Sequence, residues 1–325
     1  MRGLLVALIA ALAPFAVRAD EPPVTDWSSN IETVVVTAKR PGPLIWRVTK
    51  GSSTVLILGT IAPMPRDFAW NEDGVRAAIK GARQVLLPPK ASVGLFEGLW
   101  FLAWNSDAVY LPDGIRMEAA LPDPLRTQFI TEREALHRDA DRYESLRMPL
   151  AGLRLEGDYL SAHKLIQSEP TDTLRRIARG LGVPSKPVAD YPALPLLKQL
   201  PKMSRAANEA CLAASLDDIQ AISAHGAAAA EAWAVGDLDG LKANYSEMRF
   251  ESCIQSMPSF AALFVRAVSD STAAVETALA RPGKTVIAVS IGTLLRQNGI
   301  LDRLKARGLA VEAPGDGISG PPAAP

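Results

Sequence analysis

Residues 55–65 read VLILGTIAPMP and residues 285–295 read TVIAVSIGTLL. Each is an apolar run rich in Val, Ile and Leu that passes into Gly-Thr, without the polar alternation of a strand that has one wet face. Such runs predict strands covered on both sides, and hence an α/β arrangement with helices packed over a sheet. Loops that follow strands of this kind are where α/β proteins usually place their chemistry. Here neither loop carries His, Asp, Glu or Cys.

Working outward, residues 44–50 and 54–58 read as a hairpin turned at Gly51-Ser52-Ser53, since a short Gly-containing turn joins two apolar stretches. A helix over 72–82 leads to a strand at 84–87, closed by Pro88-Pro89. Residues 93–104, VGLFEGLWFLAW, are apolar throughout and predict a helix packed in the core; a cover over a groove is the alternative. From about 112 to 280 the pattern is mainly helical. Asp123-Pro124 opens a helix that runs through 136, and further helices are expected at 151–167 and 171–181. The last of these places Leu174, Ile177, Ala178 and Leu181 on one face and stops at Gly182 and Pro184. A short strand at 186–189 precedes alanine-rich helices at 206–235 and 259–279, and a final helix at 299–307 leads to a final strand at 309–312. The expected fold is therefore α/β (α+β): a central sheet built from N- and C-terminal strands, with a large helical insert at about 112–280.

Residues 1–19 have a basic start, an apolar run and small residues before Asp20, the pattern of a cleavable signal peptide. A periplasmic or secreted protein is expected, with no transmembrane segment after cleavage. Residues 20–43 read as a linker, 44–313 as the folded domain and 314–325 as a disordered Gly/Pro tail. With 35 basic and 35 acidic residues, nothing suggests a nucleic-acid surface or a polybasic membrane patch. Cys211 and Cys253 are the only cysteines, and in an exported chain an even pair predicts a disulfide, with two buried thiols as the alternative.

Within the linker, Glu32, Thr33, Val34, Val35, Val36, Thr37 and Ala38 form a β-rich run ended by Pro41-Gly42-Pro43. It reads either as an edge strand of the domain or as a docking strand. In the second case it resembles the TonB box of outer-membrane receptors, which adds a strand to a TonB-like partner.

The flanking residues carry a wider resemblance. Trp46-Arg47-Val48, Leu58-Gly59-Thr60-Ile61, Gly292-Thr293-Leu294, Gly299-Ile300-Leu301 and Gly308-Leu309-Ala310-Val311-Glu312 resemble the TraB/GumN family, which includes the TIKI metalloproteases. The resemblance implies an α/β core with a helical insert, in which two strand-borne Gly-x-x-His motifs and glutamates hold a metal-activated water that cleaves peptides. This chain departs from that pattern at the decisive positions. Ala62 stands at the first histidine, in Gly59-Thr60-Ile61-Ala62, and Thr293 at the second, in Ser290-Ile291-Gly292-Thr293. Pro88 occupies the end of the strand that should finish in an acid, and Tyr191 the position of a glutamate, with Asp190 beside it. A catalytic metal needs about three imidazole, thiolate or carboxylate ligands and an open position. The expected protein is a degenerate member without a cofactor, binding a peptide or envelope protein in a groove lined by Gly59, Thr60, Ala62, Pro88, Tyr191, Ser290, Gly292 and Thr293.

The alternative is an active hydrolase using Zn, Mn or Co, with ligands moved to Asp67, Asp190 or the histidines His137, His163 and His225. Each histidine also reads simply as a helix-surface residue, and no HExxH is present. Ser290 in a relaxed nucleophile elbow lacks a following histidine, and Gly283-Lys284-Thr285 precedes its strand where a phosphate loop would follow one. Trp70, Trp100, Trp104 and Trp233 read either as core or as the lining of a carbohydrate or peptide groove.

Overall fold

Six strands make the central sheet of the computed structural model, which describes residues 42–314. They are β1 (Ile45–Lys50), β2 (Ser53–Thr60), β3 (Gln84–Leu87), β4 (Ser185–Pro187), β5 (Gly283–Ser290) and β6 (Val311–Glu312). Their spatial order is β6-β1-β2-β5-β3-β4. The expected hairpin of β1 and β2 is antiparallel, from Ile45 opposite Leu58 to Lys50 opposite Ser53. Gly51 turns it with φ of 57°, a conformation glycine adopts without steric cost. β2, β5, β3 and β4 are parallel to one another. The two runs that predicted the fold lie side by side, in register from Ser53 opposite Gly283 to Thr60 opposite Ser290.

The helices of five or more residues are α1 (Asp73–Ile79), α2 (Leu95–Trp104), α3 (Asp123–Ala135), α4 (Met148–Ala162), α5 (Glu169–Gly180), α6 (Arg205–Val235), α7 (Leu238–Asn244), α8 (Arg249–Gln255), α9 (Pro258–Leu279), α10 (Ile291–Leu295) and α11 (Ile300–Ala306). Alternate residues of a strand point to opposite faces, so the sheet feeds two cores. Val55, Ile57, Ile287 and Val289 face α9, α10, α11 and the C-terminal end of α6. Leu56, Leu58, Val286 and Ala288 face α1 and α5. Both faces are dry, which is the physical reason the strand sequences show no polar alternation.

The insert has its own core, where Phe129, Tyr143, Leu155, Leu212 and Leu216 are buried between α3, α4 and the N-terminal half of α6. At 31 residues, α6 is about 46 Å long and belongs to both bodies. Its far end delivers Trp233, whose indole N–H donates to the Gly59 carbonyl at 2.7 Å. Cys211 and Cys253 form the expected disulfide, tying α6 to α8 with Cα atoms 5.4 Å apart.

Three expectations are corrected. Residues 95–104 are helical, but α2 is not core: only Phe101 is buried, because the helix meets the body along one narrow side. The helix over 123–135 has the extended Pro122 at its N-cap, and the Asp123 carboxylate pairs with Arg126 and makes no cap bond. The helix expected at 151–167 starts at Met148, with Pro149 in its first turn, and stops at His163 before a two-residue strand, Leu165–Ile166. The docking run Glu32–Ala38 of the linker, the signal segment and residues 315–325 lie outside the described residues.

Candidate functional site

The carboxyl ends of the four parallel strands share one edge of the sheet, where open α/β proteins bind ligands. Four connections leave from it. After β2 the chain runs Ile61-Ala62-Pro63, with a cis bond between Ala62 and Pro63. After β5 it turns directly into α10. Register places Thr60 beside Ser290, so the two degenerate motifs are neighbours. The other two connections, through Pro88-Pro89 and Val188-Ala189, form a small parallel ribbon in which Lys90–Ser92 pairs with Asp190–Pro192.

Each motif side chain is engaged within the protein. The Thr60 hydroxyl donates to the Val289 carbonyl at 3.2 Å. The Ser290 hydroxyl donates to the Thr293 hydroxyl at 2.7 Å and accepts the Thr293 backbone N–H, capping α10. Pro88 lines a separate hollow of about 300 Å³ with Thr171 and Arg175. Tyr191 is buried and its hydroxyl donates to Asp270 at 2.7 Å. Burial, with that bond, pushes its phenol up to about 12. Gly59, Thr60, Ser290, Gly292 and Thr293 are thus brought together with Ala62, whereas Pro88 and Tyr191 face other surroundings.

Next to Ala62 is a cavity of about 30 Å³ lined by Ile61, Ala62, Pro63, Asp218, Tyr245 and Met248. Ala221, Asn244, Tyr245 and Ser246 line it together with a wider open cleft of about 550 Å³. His225, Lys242, Glu247 and Arg249 form the walls of that cleft. Glu247 reaches from the cleft to the second motif. Its carboxylate pairs with Arg296 at 2.6 Å and lies so close to Gly292 that a Cβ there would sit 2.5 Å from Oε1. Burial, reinforced by the Glu247 and Glu251 carboxylates, pushes the Tyr245 phenol up.

Behind the cavity are two buried acids. Asp218 accepts the backbone N–H groups of Arg249 and Phe250 at 2.7 and 2.8 Å, so it caps α8 from the middle of α6. Burial raises it above the usual carboxylate range despite those bonds. Glu156, on α4, has among the described residues only a long hydrogen bond from the Gln167 amide, at 3.3 Å. Burial first, and then the Asp218 charge, push it up to about 7. Sequence reasoning missed Glu156, Asp218 and Glu247. The legible signal was at Asp218, which shares the buried face of α6 with Cys211, Leu212, Ser215 and Ile219.

The residues at these positions do not supply the donors that the family's metal would need. Ala62 and Pro88 have no donor, the Thr293 hydroxyl is held by Ser290, and the Tyr191 phenol stays protonated on Asp270. Asp67 is exposed in a turn at φ of 60°. Asp190 pairs with Lys90 at 3.1 Å and accepts from Ser92, and that hydrogen bond first, then the lysine, hold it below the usual range. His137 and His163 are exposed at the ends of α3 and α4, and His225 stands on the cleft wall. Among the described residues no three His, Cys, Asp or Glu side chains converge to hold an ion. The donor set does not fit a catalytic metal, and no step is derived through one.

The remaining readings resolve plainly. Lys284 donates to the Ala77 and Lys80 carbonyls at the end of α1, at the opposite edge of the sheet, so the phosphate-loop likeness is a helix-end contact. Trp70 packs edge-to-face on Trp233 at 5.1 Å beside the core, while Trp100 and Trp104 stack in the open at 6.0 Å.

No curated protein and no solved structure matches the chain. The model of the TraB/PrgY/gumN family matches residues 44–313, from the start of β1 to just beyond β6. With the match covering most of its length, the chain belongs to the TraB/PrgY/gumN family.

Proposed function

We infer that this chain is an exported, catalytically degenerate member of its family that acts by binding a peptide or an envelope protein. The observation that carries the reading is the filling of the motif site: Ala62 lines a space of about 30 Å³ and Thr293 is turned onto Ser290. A space of that size admits about one water. The cleft leading to it supports a polypeptide ligand, since His225, Lys242, Asn244 and Glu247 offer donors, acceptors and both signs of charge. The Cys211–Cys253 bond is in keeping with an oxidising compartment.

Metal content of the purified protein tests the first half, by elemental mass spectrometry after equilibration with Zn, Mn and Co and removal of loose ions. No retained metal is expected, and about one equivalent, with peptide turnover, would overturn the reading. Fluorescence anisotropy with a labelled pool of random-sequence peptides tests the second half. Saturable binding that Lys242→Glu weakens is expected; binding indifferent to that change removes the cleft from consideration. Docking of residues 31–40 to a TonB-like domain is a separate proposal. Deleting them should abolish capture of that domain and leave the melting temperature unchanged, and a lowered melting temperature would make them part of the fold.

A further inference from the structure

α2 follows the ribbon at the carboxyl edge of the sheet and turns its apolar side outward. Leu95, Phe96, Leu99, Trp100 and Trp104 are each more than half exposed, Phe96 by 80% and Trp104 by 73%. Together they present roughly 800 Å² of apolar surface, given the usual areas of such side chains. Monomeric proteins rarely expose more than a few hundred Å² in one patch. The figure matches one partner's share of a standard interface, about 800 Å².

The patch is complementary to itself. Its N-terminal end is a knob, Leu95 and Phe96. Its C-terminal end borders a hollow of about 430 Å³ between Trp100, Trp104, Leu194 and Pro195. Two copies related by a two-fold axis across the helix lie antiparallel, and each knob then meets the other copy's hollow. Isologous contacts of this kind are the commonest in homo-oligomers. Charge agrees with shape. Glu97 and Lys198 both line the hollow, and among the described residues neither is in an ion pair. A bilayer is the poorer fit, because Glu97 stands within the patch and would repel anionic headgroups.

We propose that α2 is the interface of a two-fold homodimer, with Phe96 of each copy seated in the other's Trp100–Trp104 hollow and Glu97 paired with Lys198 across the axis. Sedimentation velocity of the purified protein at micromolar concentration should give twice the chain mass. Phe96→Asp should yield monomers with unchanged circular dichroism, as expected for a side chain this exposed, and with a melting temperature that no longer depends on protein concentration. Glu97→Lys and Lys198→Glu should each weaken the dimer on the order of tenfold, and their combination should restore it. A monomer at every concentration overturns the proposal, whether it stays free or co-sediments with phosphatidylglycerol vesicles. So does a dimer untouched by Phe96→Asp, or one that forms only after residues 20–40 are removed, which would make that segment the occupant.

Discussion

Replacing Glu156 by glutamine should stabilise the protein above neutral pH and do little below pH 5. Glu156 is 5% exposed, and its pKa moves from an ordinary value near 4.5 up to about 7. The cause is burial first, and then the neighbouring Asp218. The sign follows from proton counting: between these two values the folded state holds the proton and the unfolded chain does not, so stability falls as pH rises through that window. At about 1.4 kcal/mol per pKa unit, the ionised carboxylate costs about 3 kcal/mol at pH 8 relative to pH 4.5. Glutamine keeps an oxygen for the Gln167 amide at Oε1 and carries no charge. The assay is urea denaturation of wild type and Glu156→Gln at half-unit steps from pH 5 to 8. The expected gap is under about 1 kcal/mol at the acid end and about 3 kcal/mol in favour of glutamine at the alkaline end. A constant gap across the range, or a variant less stable at pH 8, would refute the assignment of Glu156 as a destabilising buried carboxylate.

Asp218→Ala removes the acceptor shared by the first two N–H groups of α8, and should cost about 2 kcal/mol in urea denaturation at pH 5, where Glu156 is neutral. The same change should lower the pKa of Glu156 by removing the charge beside it, read as a smaller loss of stability with rising pH that is complete at lower pH. Reducing the Cys211–Cys253 bond, which closes a loop of 42 residues, should lower unfolding free energy by about 4 kcal/mol in the loop-entropy account. Equal denaturation curves with and without reductant would contradict it. Ala62→His puts an imidazole where about 30 Å³ is free, so it should cost about 1–3 kcal/mol by overpacking and retain no Zn. A variant as stable as wild type that holds zinc tightly would show the site to be open.

Much of the fold was legible because it follows from burial. β2 and β5 are dry on both faces, and their composition says so. The face of α5 bearing Leu174, Ile177 and Ala178 is buried as its spacing requires. α2 misled for a related reason: apolarity shows that a surface avoids water, not which surface covers it, and a helix apolar all round reads the same whether its cover is the core or something else. The site was half legible. Ala62 and Thr293 were placed by motif, and Thr60 and Ser290 do lie side by side, since strand register carries short motifs reliably. Glu156, Asp218 and Glu247 were not, because they come from α4, α6 and the segment before α8, and only tertiary packing brings them to the same edge.

Gly59 and Gly292 sit at close approaches between elements. A Cβ on Gly59 would lie 2.6 Å from Cδ1 of Ile291 and 3.1 Å from Trp46, and the Gly59 carbonyl is where Trp233 anchors α6. Gly292 is pressed against Glu247 in the same way. A larger side chain at either position has to displace the end of the Ile291 or the Glu247 side chain. Ala62 and Thr293 bear a lighter load: one lines a small cavity at the start of a loop, and the other makes a hydrogen bond within a single turn of α10. The two kinds of residue stand three or fewer positions apart in each motif, yet answer to different physics. Packing between elements constrains the glycines, whereas Ala62 answers to the size of a small cavity and Thr293 to one turn of α10. Gly59 thus opens the first quartet as a packing residue, whereas the second quartet opens with Ser290, which caps α10, and carries its packing glycine two positions later at Gly292.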